Sequence, residues 1–206
     1  GKTTLLRLIS RLEKPTRGVI LQNISGKFGQ KSKQSKKWYK KVGVVYQNPD
    51  YQLFMPTVEK EIKFGAKSDE YADEIAEKFG VKHLYVRHPQ SLSEGQKRRV
   101  SIAAVVATAP EVLILDEPTA ALDPIAEAEI YEKFDKISSG KTAIYISHRL
   151  SSCRFCDEIL VFSEGSVVEQ GTHEDLLSNE GSKYHELWFA QAQYYANDEA
   201  VSKLFA

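Results

Sequence analysis

Cysteine is scarce in this chain: Cys153 and Cys156 are the only two in 206 residues. That is too few for a disulfide framework and, with no second Cys or His pair at metal-ligand spacing, too few for structural zinc. Their C-R-F-C spacing has the form of a redox pair, yet it follows a strand-like run and His148, and nothing around it resembles a redox centre. Long apolar runs are missing too. No stretch approaches the ~18 uninterrupted apolar residues of a membrane span, and the first residues lack the charged-then-apolar pattern of a signal peptide. Any membrane connection is therefore expected to run through a partner. Nor is there an excess of either charge: 28 Lys+Arg face 28 Asp+Glu, which argues against a grip on nucleic acid by bulk electrostatics. What is present is 42% hydrophobic residues, enough at this length to bury a core without staples and too many for disorder to be the main state.

One local patch departs from the charge balance. Between Lys27 and Lys41 lie seven lysines and no acid, with Trp38 and Tyr39 among them. A basic run with interleaved aromatics raises the question of nucleic-acid or anionic-lipid contact; a solvated loop and strand edge is its ordinary meaning.

Short β-branched runs alternate with longer helical patterns. Val19–Ile24, Lys41–Gln47, Glu111–Asp116, Thr142–Ser147, Ile159–Ser163 and Ser166–Gln170 read as strands. Thr3–Ser10, Asp69–Phe79, Glu94–Ala107, Pro124–Ile137 and Ser182–Tyr195 place apolar residues at helical spacing. The wholly apolar runs Val112–Leu115 and Ala143–Ile146 suit a sheet covered on both faces, so the expected core is α/β with a mainly parallel sheet. From Asn48 to Ser91 the alternation stops, and Pro49, Pro56 and Pro89 punctuate helical stretches. This predicts a single domain, 1–206, in which residues 48–91 form a small helical subdomain inserted into an α/β core of 1–47 and 92–206.

The chain opens Gly1-Lys2-Thr3-Thr4 ahead of a helix, the tail of the pattern G-x-x-x-x-G-K-[ST]. In such a loop backbone N–H groups and the helix N-terminus hold phosphates, the lysine neutralises them and the first hydroxyl binds Mg²⁺. The first glycine, the linking residues and the strand that precedes such a loop are not in the sequence, so the chain is expected to be part of a longer one. Val112-Leu113-Ile114-Leu115-Asp116-Glu117 then ends an apolar strand in adjacent carboxylates, delivered to the C-terminal edge of a parallel sheet where α/β proteins bind ligands. There Asp116 would orient Mg²⁺ and Glu117 would polarise the water that attacks a γ-phosphate.

Leu92-Ser93-Glu94-Gly95-Gln96 makes the resemblance specific. It resembles the LSGGQ signature of ATP-binding-cassette (ABC) ATPases, with Glu94 in place of the usual first glycine. In the same order Tyr46-Gln47 resembles the Q-loop, Ala121-Leu122-Asp123 the D-loop and Ser147-His148 the switch histidine. The resemblance implies a P-loop NTPase core and roles for each position. Gly1, Lys2, Thr3 and Thr4 would take the phosphates of ATP, with Thr3, Asp116 and Gln47 near Mg²⁺. Glu117, Gln47 and His148 would serve hydrolysis, and Ser93, Gly95, Gln96 and Asp123 would face the nucleotide of a second cassette. It also implies a groove beside the Q-loop for a membrane partner, expected to be lined by Tyr51, Leu53, Phe54, Met55 and Val58.

The two ends of the chain resemble different relatives. Tyr46-Gln47-Asn48-Pro49-Asp50-Tyr51-Gln52-Leu53-Phe54 and Glu94–Val100 are similar to the ATPases of energy-coupling-factor and cobalt-type importers. Ser147–Leu150, Val168–Leu176 and the closing Tyr184–Tyr195 helix look like exporter ATPase domains, a longer match that tips the expectation slightly towards export. The implied partners are a transmembrane domain or subunit and a second ABC ATPase domain, at the cytoplasmic face of the cell membrane. The alternative is a soluble ABC ATPase acting on nucleic acid or ribosomes through the lysine run; against it, residues 48–91 are too short and too weakly heptad-like for the coiled-coil insertion such proteins carry.

Overall fold

The computed structural model describes residues 2–18, 38–119, 130–131 and 141–195. The expected strand Val19–Ile24, most of the lysine run, Gly1, Asp123 and nearly all of the expected helix Pro124–Ile137 lie outside them. The chain divides into two compact units, Gly1–Ala121 with Ser138–Ile146, and Leu122–Ile137 with Ser147–Ala206.

The first unit holds helices α1 (Lys2–Ile9), α2 (Val58–Lys63), α3 (Asp69–Lys78) and α4 (Glu94–Ala107), and strands β1 (Val42–Val45), β2 (Val112–Asp116) and β3 (Thr142–Ile146). The strands form a parallel sheet in the order β1-β2-β3, registered Val45 to Leu115 and Asp116 to Ile146. Leu113, Ile114 and Leu115 of the central strand are buried, as a sheet covered on both faces requires. On one face Leu6 of α1 packs with Ile114 and Ile146, against Val42 and Val44. Gly43, between those valines, faces the other way, and a Cβ there would meet Val105 Cγ1 of α4 at 2.6 Å and Pro110 Cγ at 3.0 Å. Glycine at this position lets α4 approach the strand backbone.

Between β1 and α4 the chain is helical: one short 3₁₀ turn, Pro49–Tyr51, precedes α2, and two more, Lys82–Leu84 and Pro89–Ser91, follow α3. Thr57 caps α2 by accepting from Lys60 N at 3.3 Å, and Ser68 caps α3 by accepting from Tyr71 N at 3.2 Å. Val58, Ile62, Ala72, Ile75, Ala76 and Phe79 are buried among these helices and α4.

In the second unit β4 (Ile159–Ser163) and β5 (Ser166–Gly171) form an antiparallel hairpin. Its turn, Glu164-Gly165, has φ of +50° and +83°, as a two-residue turn matching strand twist requires. Helices α5 (His173–Ser178) and α6 (Lys183–Tyr195) follow. Leu150, Ile159, Val161, Leu176, Tyr184 and Trp188 make the core, and Cys153 and Cys156 pack against it. Burial pushes the Cys153 thiol up to about 12, opposite to the lowered value a reactive thiol needs, so this C-R-F-C is packing material.

Candidate functional site

Parallel strands in register finish at the same edge, and in the first unit that edge gathers residues far apart in sequence. β1 ends at Val45, directly before Tyr46-Gln47, and β2 ends at Asp116, directly before Glu117. Gln47 Nε2 donates to Glu117 Oε2 at 3.2 Å, and Thr3 Oγ1, in the first turn of α1, donates to Asp116 Oδ2 at 3.2 Å. Lys2 and Thr4 are exposed on that first turn. The Glu117 backbone lies in the left-handed region, φ +48°, with its N–H donating to the Ile146 carbonyl of β3 at 2.8 Å. Asp116 is 4% exposed. Burial raises its carboxyl above the usual range; the charge of Glu117 adds to this, while Thr3, Lys2 and Arg98 oppose it.

Ser93, Gly95 and Gln96 begin α4 as a capping box. Ser93 Oγ accepts from Gln96 N at 3.4 Å, and Gln96 Oε1 accepts from Ser93 N at 3.1 Å. One turn later come two charged side chains that sequence reasoning passed over. Arg98, 2% exposed, donates from Nη1 to the Tyr46 carbonyl at 2.7 Å and from Nη2 to the Gln47 carbonyl. Lys97 pairs with Asp50 at 2.9 Å and Glu94 at 3.1 Å. Their burial was the unread feature: Lys97 and Arg98 stand in a run of three basic residues, Lys97-Arg98-Arg99, that reads as a solvated helix face.

His148 belongs to the second unit. Gln191 of α6 brackets its backbone, Nε2 donating to the His148 carbonyl and Oε1 accepting from Leu150 N at 3.0 Å. Arg149 N donates to Ser147 Oγ at 2.9 Å, which tightens the same turn. No sequence signal marked Gln191.

The expected groove beside the Q-loop is only partly exposed. Tyr51 and Phe54 are 82% and 66% exposed, but Leu53 and Val58 are buried core residues, Val58 at the start of α2, which packs on α4. Phe54 meets Phe64 edge-on at 5.3 Å. The loop is held from beneath: the nearly buried Glu61 carboxylate accepts from Phe54 N at 2.8 Å and Met55 N at 2.7 Å.

A parallel sheet whose strand ends present carboxylates to a hydroxyl in the first turn of a helix is the phosphate-binding edge of a P-loop NTPase fold. Comparison with known proteins narrows the class. Residues 1–120 match the family model described as ABC transporter. An energy-coupling factor transporter ATP-binding protein, EcfA2, of Lactococcus lactis subsp. cremoris (strain MG1363) is 37% identical over 210 residues, covering 96% of this chain and 73% of that protein. EcfA2 of Bacillus thuringiensis (strain Al Hakam) is 40% identical over 194 residues, covering 87% of this chain, which spans 66% of that relative's length. Among solved structures, a bacterial Atm1-family ABC exporter with ATP bound superposes with a TM-score of 0.79 at 33% identity, over 93% of this chain and 35% of that one. The cbiO1 protein of Clostridium perfringens, part of the ABC transporter complex cbiONQ, superposes with 0.74 at 30% identity, over 97% of this chain and 80% of that one. The chain belongs to the ABC transporter family.

Proposed function

We propose that this chain is an ATP-hydrolysing nucleotide-binding domain that pairs with a second such domain and drives transport through a membrane domain or subunit. The observation that carries the reading is the convergence of Thr3, Gln47, Asp116 and Glu117 at one sheet edge. Lys2, Thr3 and Thr4, with Gly1, bind the phosphates of ATP at the start of α1. A buried carboxylate whose near partner is a hydroxyl fits a hard divalent cation, so Thr3 and Asp116 would hold Mg²⁺, with Gln47 alongside. When bound, Mg²⁺ supplies neutralising charge to the β- and γ-phosphates. Glu117 accepts the proton of the attacking water, oriented by the Gln47 amide, and the resemblance of Ser147-His148 to the switch histidine supports a role for His148 in hydrolysis. Ser93, Gly95 and Gln96 form the anion-facing start of α4 for the nucleotide of the opposite cassette, with Asp123 at that interface. The Ser93 oxygen accepts within the capping box, so its own O–H stays available to donate outward.

Residues 48–91 are read as the helical subdomain of one domain spanning 1–206, a reading supported by α2, α3 and the 3₁₀ turns between β1 and α4. Among the described residues no helix is long and apolar enough to cross a membrane. Placement at the cytoplasmic face of the membrane follows from the proposed partner. The energy-coupling-factor relatives, at 37–40% identity, support a subunit of that transporter type; the 0.79 superposition on an exporter supports the second reading, an exporter ATPase domain. For action on nucleic acid, Lys27 to Lys37 lie outside the described residues. Trp38 is buried, donating from Nε1 to the Ile9 carbonyl at 3.0 Å, and is no base-stacking side chain.

Phosphate release from ATP by the full-length protein, measured with Mg²⁺ and with the ion chelated, tests the activity. Dependence on the ion supports it, and absence of release under both conditions refutes it. Co-purification with a membrane protein rather than with RNA tests the partner.

A further inference from the structure

Arg98 is among the largest fully buried side chains of the chain. Burying a guanidinium costs several kcal/mol unless its donors are matched. Nη1 and Nη2 are matched, not by a carboxylate but by the neutral carbonyls of two successive residues, Tyr46 and Gln47, more than 50 positions away, while the buried Nε has no hydrogen-bond partner among the described residues. The neighbouring backbone is tied as closely. Tyr46 N donates to Gln52 Oε1 at 2.9 Å, Gln52 Nε2 donates to the Val44 carbonyl at 3.2 Å, and Asp50 N donates to Asn48 Oδ1 at 2.9 Å. Lys97, next to Arg98 on α4, holds the Asp50 carboxylate. The segment that presents the Gln47 side chain to Glu117 is thus fastened from the second turn of α4.

We infer that Arg98 is a positioning residue for Gln47, transmitting the placement of the α4 N-terminus at Ser93 and Gly95 to the amide that meets Glu117. The inference rests on the site reading proposed above. Arg98 lies five residues beyond Ser93, about 7.5 Å along a helix that moves as a unit. A ligand that seats the first turn of α4 therefore also sets the two carbonyls from which Gln47 projects. Arginine suits the task because its planar fork reaches two acceptors at once; lysine keeps the charge but presents a single point donor.

The test uses the full-length protein with Arg98→Lys, Gln47→Ala, the pair together, and Glu117→Gln alongside. Arg98→Lys is expected to lower kcat ~10-fold with KM for ATP within ~2-fold, because the loss falls on the reacting geometry rather than on nucleotide binding. In the Gln47→Ala background the same substitution should cost less than ~2-fold, since its effect passes through Gln47. Hydrogen exchange should quicken at the amides within residues 48–52 (Asn48, Asp50, Tyr51 and Gln52) while α4 stays protected. Losses that multiply in the double variant, an unchanged kcat, or unchanged exchange at 48–52 would overturn the inference. If Glu117→Gln turned over at the wild-type rate, the site reading itself would fail, an outcome separate from all of these. Should Arg98→Lys unfold the chain, exchange at 48–52 in Lys97→Met decides: a local loosening there supports fastening from α4, and none overturns it.

Discussion

The side-chain amide of Gln47 donates to the carboxylate of Glu117 at 3.2 Å, joining the ends of two neighbouring parallel strands across 70 residues of sequence. An amide there orients a carboxylate without neutralising it, as a proton acceptor needs. Glu117→Gln is expected to keep ATP binding but to lose ~10²-fold or more in turnover, the usual weight of a general base. The trapped, ATP-loaded protein should elute as a dimer in gel filtration. Lys2→Ala should instead weaken ATP binding itself by ~10-fold or more, because a charge-assisted contact to phosphate is lost. Wild-type turnover by Glu117→Gln would refute the assignment.

Gly43 is expected to resist even the smallest side chain. Replacing glycine with alanine ordinarily stabilises by ~0.4–1 kcal/mol through the unfolded state. Here the added Cβ meets Val105 Cγ1 at 2.6 Å, and overpacking of a filled core costs ~1–3 kcal/mol, so the steric term wins. Chemical denaturation should show Gly43→Ala less stable than the parent; equal or greater stability would mean that α4 can retreat from the strand.

His173 should make the second unit sensitive to acid. Its Nδ1 shares a hydrogen bond of 2.8 Å with the Tyr184 hydroxyl, and its ring lies 4.6 Å from that of Trp188. Burial holds its pKa below the usual imidazole value; Arg154 adds to this and Glu174 opposes it. The folded form therefore binds fewer protons than the unfolded one between the ordinary value of ~6.5 and the depressed one. Stability is full above that window, declines as pH falls through it and levels off below. Thermal melts from about pH 7 to about pH 5 should fall more steeply for the parent than for His173→Gln. Parallel slopes would place the sensitivity elsewhere.

Phe54→Asp is expected to weaken association with the proposed membrane partner while shifting Tm by less than ~3 °C, as an exposed side chain contributes little to folding. Leu53→Asp, a few atoms away but buried, should instead destabilise the fold. A matching loss of Tm in both would return Phe54 to the core.

Much of this was readable in the sequence because apolar runs and caps carry their own boundaries. Ile159–Ser163 and Glu94–Ala107 end where patterning and the Ser93 cap placed them, and β2 delivers Asp116 and Glu117 as its composition implied. The six-residue helices α2 and α5 escaped separate notice, since fewer than two turns hold too few apolar positions to show a period. The apolar groove was overdrawn for a related reason: Tyr51, Leu53, Phe54, Met55 and Val58 are all apolar or aromatic, and only tertiary packing separates the buried Leu53 and Val58 from the exposed Tyr51 and Phe54. Arg98 and Gln191 went unseen because their partners are backbone carbonyls and amides distant in sequence, which no residue pattern encodes.

The left-handed backbone at Glu117 carries a cost that glycine would not pay, and the buried Asp116 beside it carries another. Both sit where the chemistry is proposed to happen, so changes such as Glu117→Gly or Asp116→Asn, inactivating on the proposed mechanism, are expected to relieve the fold as they disable the site. On that reading, selection for thermal robustness alone would draw this chain towards inert variants, and selection for turnover would be what keeps a glutamate at a left-handed position.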